Sequence, residues 1–395
     1  MNLRTIRDVD VEGKRVLVRV DYNVPLNRET GEVADDSRLL ATVPTIEYLV
    51  QQEAKVILCS HLGRPDGKVV EELRLAPIAR HLTQILGRPV ASAPDCVGPD
   101  VQRIVRTMAP GNILLLENLR FHPEEEANDP AFAEALAALA EVYINDAFGT
   151  AHRAHASTAG VAAYLPSAAG FLMEKEVSTM GVALENPNRP FAAVIGGAKV
   201  SGKIGVLENL LDKVNVLVIG GGMACTFLKA MGYDIGNSLV EEDRVAYAKE
   251  LLHKAWQKNV KHLLPVDAVI ADKIDREANI RTVPIGEVPD GWSIVDIGPD
   301  TVEYFAAELK SCLTIIWNGP MGIFEIPAFA HGSQDLAKVI AECPGVTIVG
   351  GGETVALVTE MGLEDKFTHV STGGGASLEF LEGRELPGVA ALLEK

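Results

Sequence analysis

Long apolar runs are missing from this chain. A membrane-spanning helix needs roughly 18 or more consecutive apolar residues. The best attempt, residues 214–228, is interrupted by Asn215, three glycines and Thr226. The opening MNLRTIRDVDVEGKRV carries acidic residues and no apolar core, so it does not read as a signal peptide, and the cytoplasm is the expected compartment. Paired cysteines are missing too. Cys59, Cys96, Cys225, Cys312 and Cys343 are odd in number and show no C-x-x-C spacing. That argues against a disulfide framework, a zinc knuckle or a thioredoxin-type motif, and buried reduced thiols are expected instead. Positive charge is scarce: 36 Lys and Arg against 54 Asp and Glu give a net charge of −18. Such a surface repels nucleic acid and anionic membrane, so neither is an expected partner, and a small anion needs a local basic pocket. Low-complexity tracts and short-period repeats are absent, and proline and glycine are spread along the chain.

What is present is a repeated strand-and-helix pattern. At roughly 100–200 residues per domain, 395 residues make two or three domains. Short Val-, Ile- and Leu-rich runs occupy residues 16–20, 56–59, 113–116 and 142–144, then 192–195, 216–219, 314–317 and 346–349. They show little alternation, as strands buried on both faces of a parallel sheet do. Helical patterns lie between them, for example 132–141, 244–257 and 302–309. The expected fold class is therefore α/β with mainly parallel sheets. Residues 171–190 read as a helix that joins two domains, ended by Asn186-Pro187-Asn188-Arg189-Pro190.

The strands of the two halves end in different residue types. The first half places Asp21 and Asn23, then Arg38, then His61, Gly63 and Arg64, then Arg120, then His152, Arg153 and His155 at or just beyond strand ends. Parallel strands share one carboxyl edge, so these groups can converge there. An anion bearing a carboxylate and phosphates suits such a cluster, because arginine offers a fixed fork and keeps its charge. Asp21 and Asn23 suit a substrate hydroxyl.

The second half places glycines after its strands: Gly196-Gly197, Gly220-Gly221-Gly222, Gly350-Gly351-Gly352 and Gly373-Gly374-Gly375. Glycine lets backbone N–H groups approach phosphate oxygens, and a helix N-terminus adds favourable dipole charge. Lys199 and Lys203 come after the first turn, four apart, and share a face if that stretch is helical. Gly197 to Lys203 begins like a Walker A loop, but Ile204 stands where the Mg²⁺-binding hydroxyl belongs, so a standard P-loop is rejected. Glu325, in a Pro/Gly loop, is a candidate ribose contact.

Together these segments resemble phosphoglycerate kinases nearly end to end. The resemblance rests on VRVDYNVP (18–25), SHLGRP (60–65), LENLRFHPEE (116–125), NDAFGTAHRAHAST (145–158), GGAKVSGKI (196–204), IGGGMACTFLKA (219–230), WNGPMGIFE (317–325), GGGET (350–354) and STGGGASLE (371–379). It implies two Rossmann-like three-layer α/β/α domains joined by an interdomain helix. Residues 1–170 with 386–395 then form the phosphoglycerate-binding domain, 171–190 the linker and 191–385 the Mg-nucleotide domain. The resemblance assigns Asp21, Asn23, Arg38, His61, Gly63, Arg64, Arg120 and Arg153 to the phosphoglycerate. It assigns Lys199, Lys203, Glu325, Gly351, Gly352, Glu353 and Thr354 to the nucleotide, with Arg38 and Lys199 catalytic. Mg²⁺ is the implied cofactor, with Glu353 as its direct or water-linked ligand. Two positions depart from the family pattern: Glu353 and Gly202 both stand where Asp is frequent.

The implied reaction is in-line phosphoryl transfer between 1,3-bisphosphoglycerate and ADP, accompanied by domain closure, in a monomer. A nicotinamide-dependent oxidoreductase would need an early G-x-G-x-x-G followed by an acidic ribose ligand, and neither is present. A non-catalytic binding protein is disfavoured, because none of the basic or lysine-bearing motifs is degraded.

Overall fold

Strands without alternation need helices on both sides to hide them. The computed structural model describes residues 3–27 and 29–393, and it shows this arrangement twice. Two compact units divide the chain: Met1–Ser178 with Glu385–Lys395, and Thr179–Arg384.

The first unit holds β1 (Arg15–Arg19), β2 (Lys55–Cys59), β3 (Val90–Ser92), β4 (Ile113–Leu115), β5 (Val142–Asn145) and β6 (Ser167–Ala169). They form one six-stranded sheet in the order β3-β4-β2-β1-β5-β6, and every pairing is parallel. Val16, Val18, Val56, Leu58, Ile113 and Ile144 share one apolar cluster with Leu39, Ile46 and Leu49 of helix α1 (Ser37–Gln51). Leu17, Ile57, Leu114 and Tyr143, on the alternate face, are equally buried. That double burial is why the sequence shows continuous apolar runs rather than a period of two. The returning C-terminal segment belongs to this unit: Gly388 N–H donates to Ala151 O at 2.8 Å, and Leu393 bridges to Leu3. Glu394 and Lys395, the last residues of the expected return, lie outside the described residues.

The helix of the joining segment, α2, runs Phe171–Glu185 and contains the boundary between the units. Its first turn is held from a distance. Asp146 Oδ1 accepts from Leu172 N–H at 2.9 Å and Met173 N–H at 3.2 Å, orphan donors that every helix start must satisfy. Burial pushes the Asp146 carboxyl up to about 7 despite those bonds.

The second unit holds β7 (Phe191–Ile195), β8 (Val216–Ile219), β9 (Lys261–Leu263), β10 (Asp267–Ala271), β11 (Ile280–Pro284), β12 (Ser293–Ile297), β13 (Thr314–Asn318), β14 (Val346–Gly350) and β15 (His369–Val370). Six of them make a parallel sheet in the order β15-β14-β13-β7-β8-β9. The other three form an antiparallel sheet, β11-β10-β12, which apolar patterning does not distinguish. The physical reason is plain: β11 is almost wholly exposed, β10 is buried along most of its length, and β12 carries an extra residue, Val295, at a register shift opposite Val269 and Ile270, so none shows a clean period. The expected helices are present with shifted ends. The 132–141 pattern is Pro130–Ala137, started by the Asp129 cap on Phe132 N–H, and the 302–309 pattern begins earlier, at Pro299.

Ile315 lies in the central strand β13 and is fully buried among Val194, Leu336, Val349 and other side chains of the second unit's core. Ile315→Ala is expected to destabilise this unit by about 2–5 kcal/mol. All three tryptophans, Trp256, Trp292 and Trp317, lie in the same unit, so denaturation followed by tryptophan fluorescence checks it.

Candidate active site

The carboxyl edge of the first sheet gathers positive charge around one buried imidazole. β1 ends in Arg19, which is 1% exposed. Its Nε donates to Ser157 Oγ at 2.8 Å, its Nη1 to Val20 O, and its Nη2 lies 3.2 Å from His61 Nδ1. Arginine carries no acceptor, so His61 Nδ1 must accept, and the neutral ring keeps its proton on Nε2. Neutrality is a consequence of the surroundings. Burial drives the His61 pKa well below its ordinary value, and the charges of Arg19, Arg120, Arg153 and Arg38 push it further the same way. His155 is lowered to about 4 by burial and by Arg19, Arg120, Arg153 and His152.

The remaining groups lock into this edge. Arg38, in the first turn of α1, donates to Asp21 Oδ2 at 2.9 Å and to Asn23 O at 3.1 Å. Asp21 Oδ1 lies 3.9 Å from His61 Nδ1. Asn23 Oδ1 accepts from Gly63 N–H at 2.9 Å, and Arg120 Nη1 donates to Gly63 O at 2.8 Å. Gly63 sits at φ +64°, and a Cβ there would meet Leu73 Cδ2 at 2.8 Å, so glycine is favoured at this junction. Arg120 Nε also approaches Glu126 at 3.1 Å. Arg153 Nε contacts His152 Nε2 at 3.2 Å. Asp21, Asn23, Arg38, His61, Gly63, Arg120 and Arg153 thus share one neighbourhood. Arg64 is exposed beside Gly63 and takes no part in these contacts among the described residues.

Three members of this network carry no distinct signal in the linear chain. Arg19 is hidden inside an apolar strand run. Ser157 and Glu125 lie in family-like motifs yet look like ordinary polar residues. Glu125 is fully buried and accepts from Ser157 Oγ at 2.6 Å and Ser157 N–H at 3.0 Å, while burial raises its pKa. The one signal that points to Arg19 is its residue type: an arginine inside a strand with two buried faces must have a buried partner.

In the second unit the strand order reverses between β7 and β13, and ligands of open α/β sheets bind at such a switch point. The two turns there touch. Gly196 N–H donates to Asn318 O at 2.9 Å and Gly197 N–H to Pro320 O at 3.0 Å. A Cβ on Gly196 would lie 2.3 Å from Pro320 O, which leaves no room for a side chain. Beside this contact opens a cavity of about 420 Å³, lined by Gly197, Gly221, Gly222, Leu239, Met321, Glu325, Glu353 and β12 residues including Asp296. The antiparallel sheet therefore supplies one wall. Burial pushes the Asp296 carboxyl up to about 7, although Gly332 and Ile297 N–H groups donate to it.

Four helices start near this edge, three of them with glycine. α3 (Ile204–Leu211) comes after β7, α4 (Gly221–Ala230) after β8, α5 (Gly352–Glu360) after β14, and α6 (Gly374–Leu381) after β15. None of the four has a side-chain cap on its first turn. In α4 the Met223 N–H donates to Gly197 O at 3.0 Å; the positive dipole ends of the four helices suit an anion. Gly352 has open space where a Cβ would stand. Lys203 Nζ donates to Asn318 Oδ1. Burial lowers the Lys203 pKa to about 8, while Glu353 and Glu382 oppose the fall. Asn318 Nδ2 is buried without a partner among the described residues, beside the Gly350-Gly351 turn, a donor with no signature in the sequence.

Two expectations change in detail. Lys199 and Lys203 do not share a helix face. Lys199 sits exposed in the turn, Ser201–Lys203 is a 3-10 turn, and α3 begins only at Ile204. Thr354 is fully buried, and its hydroxyl accepts from Gly319 N–H at 2.7 Å, bracing the β13 turn against α5.

The family model described as phosphoglycerate kinase matches residues 6–384. The phosphoglycerate kinase of Moorella thermoacetica is 60% identical over 391 residues, covering 99% of each chain. That of a Roseiflexus species is 56% identical over 394 residues, again covering 99% of each. The structure of phosphoglycerate kinase from Coxiella burnetii superposes with a TM-score of 0.89 at 43% identity, covering 99% of this chain and 98% of that one. The crystal structure of the Pyrococcus horikoshii phosphoglycerate kinase gives 0.84 at 32% identity, with the same coverage.

The depressed His61 pKa has a consequence for stability. Below about pH 6.5 the unfolded chain binds a proton at His61 that the folded chain refuses, so stability falls as pH falls through that value. Denaturation of wild type at pH 7.5 and 5.5 should show this loss, and His61→Gln should show a smaller one. Equal losses in the two proteins would contradict the assignment.

Proposed function

The chain belongs to the phosphoglycerate kinase family, and from that premise we propose how its own residues carry the reversible transfer of a phosphoryl group between 1,3-bisphosphoglycerate and ADP, giving 3-phosphoglycerate and ATP. The observation that supports the reading most is the charge pattern. A chain of net charge −18 gathers Arg19, Arg38, Arg120 and Arg153 around the His61 imidazole on one sheet edge. Asp21, Glu125 and Glu126 offset part of this charge, and a bound anion would offset more.

In this reading Arg38, Arg64, Arg120 and Arg153 hold the carboxylate and phosphate of phosphoglycerate. His61 donates from Nε2, and Asp21 and Asn23 receive the substrate hydroxyl while fixing Arg38 and Gly63. Lys199, Lys203 and the N–H groups at Gly351 and Gly352 take the nucleotide phosphates, Glu325 the ribose, and Thr354 keeps the turn in shape. The residues fit Mg²⁺: Glu353, an exposed carboxylate on the cavity, would hold it as the hard oxygen donor this ion prefers. When bound, the ion neutralises charge on the nucleotide phosphates.

A phosphoglycerate carboxylate, with a pKa of about 3.5, is already ionised at neutral pH, so the protein need not supply a general base. The work left to it is alignment and charge stabilisation. Arg38 and Lys199 take the equatorial oxygens of the group in flight. Acyl phosphates hydrolyse readily, so the bound ligands must meet away from bulk water, and closure of the units on both ligands supplies that condition. The proposal includes a cytoplasmic monomer; no helix among the described residues is long and apolar enough to cross a membrane.

Arg38→Ala and Lys199→Ala should each lower turnover by about 10²–10³-fold, with far smaller changes in ligand affinity. A coupled assay with 3-phosphoglycerate and Mg-ATP, alongside calorimetric binding, measures both quantities. Unchanged turnover in either variant removes that residue from the reaction. Small-angle scattering should show a smaller radius of gyration only when both ligands are present.

A further inference from the structure

At the outer end of the first sheet's carboxyl edge, three ligating side chains of three different kinds come together. Asp95 and Cys96 lie just beyond the edge strand β3, and His122 lies beyond the turn after the neighbouring strand β4. Theirs is the one group of three His, Cys, Asp or Glu residues, among the described residues, whose ligating atoms all lie within 4.8 Å of one another. Asp95 Oδ1 is 2.6 Å from His122 Nε2. Cys96 is the buried member, and its Sγ donates to Glu117 O at 3.0 Å. The Asp95 and His122 side chains are 48% and 27% exposed, so solvent and ions reach the group from their side. The His122 ring is held in place against Phe132, with ring centroids 5.1 Å apart.

We propose that Asp95, Cys96 and His122 form a binding site for a zinc-class divalent transition-metal ion, with a water in the fourth position. Ligands on a tetrahedral zinc ion lie roughly 3.3–3.8 Å apart, a spacing these atoms reach by small side-chain adjustments. A thiolate, an imidazole and a carboxylate select a borderline-soft ion over Mg²⁺, which prefers oxygen alone. Binding exchanges the S–H bond of Cys96 for a sulfur–metal bond and releases one proton to solvent, while His122 binds through Nε2 as the neutral ring. The missing C-x-x-C spacing does not bear on this site, because only one of its ligands is a cysteine. The bound ion would tie the loop beyond β3 to the chain beyond β4, bracing a three-residue edge strand that pairs on one side only.

Co²⁺ added to the full-length, nucleotide-free protein is the test. One equivalent should bind, with a thiolate-to-cobalt charge-transfer band and tetrahedral visible bands. Zn²⁺ should displace it and excess Mg²⁺ should not. Cys96→Ser should abolish the charge-transfer band, and His122→Ala and Asp95→Asn should each weaken binding by about tenfold or more. Zn²⁺ should also raise the melting temperature of wild type but not of Cys96→Ser. No thiolate band in wild type, or a band that persists unchanged in Cys96→Ser, overturns the proposal. Should Cys96→Ser fail to fold, the part-exposed positions decide: unaltered cobalt affinity in both Asp95→Asn and His122→Ala overturns it equally.

Discussion

A parallel sheet covered on both faces can meet a ligand only along its carboxyl edge. Helices hide Val16 and Leu17 alike, and Val194 as fully as Ile195, so chemistry is confined to the residues where strands stop. Both units obey this constraint, and they answer it differently. The first puts guanidinium and imidazole groups beyond its strand ends. The second puts glycines there, which leaves backbone N–H groups rather than side chains at that edge.

The first solution is costly in electrostatic terms. Arg19 is buried, and its three donating nitrogens are satisfied by a serine hydroxyl, a backbone carbonyl and a neutral imidazole rather than by a carboxylate. Arg38 and Arg120 touch Asp21 and Glu126, whereas Arg19 keeps its field free of a touching carboxylate among the described residues. Glu125 stands one step back, reached through Ser157, and keeps the network hydrogen-bonded without capping the arginine. His61 stays neutral because burial and the surrounding guanidinium charges oppose its protonation, which fixes it as a donor with a defined tautomer.

The second solution depends on contact between backbones. Gly196 and Gly319 pack where any Cβ would collide with the opposite turn, and Thr354 stitches α5 to the same turn. The helix starts at this edge carry no side-chain caps among the described residues, which leaves their positive ends suited to an anion. Lys203 is the counterpart of Arg19. It is partly desolvated and held on Asn318, and the field of Glu353 and Glu382 limits the fall of its pKa.

Much of this was legible in the linear chain. Unalternating apolar runs marked eight of the strands, because burial on both faces leaves that imprint on composition. Long motifs identified the family and, residue by residue, Asp21, Arg38, His61, Arg120 and the glycine turns as site candidates. Spacing along a chain could not report which distant groups strip water from one another. Arg19 against His61, Asn318 beside Gly351, the antiparallel wall at Asp296 and the meeting of Asp95, Cys96 and His122 all depend on contacts between separate elements. Pattern is local and survives in sequence; desolvation and electrostatic field are sums over neighbours, and only the folded chain decides who those neighbours are.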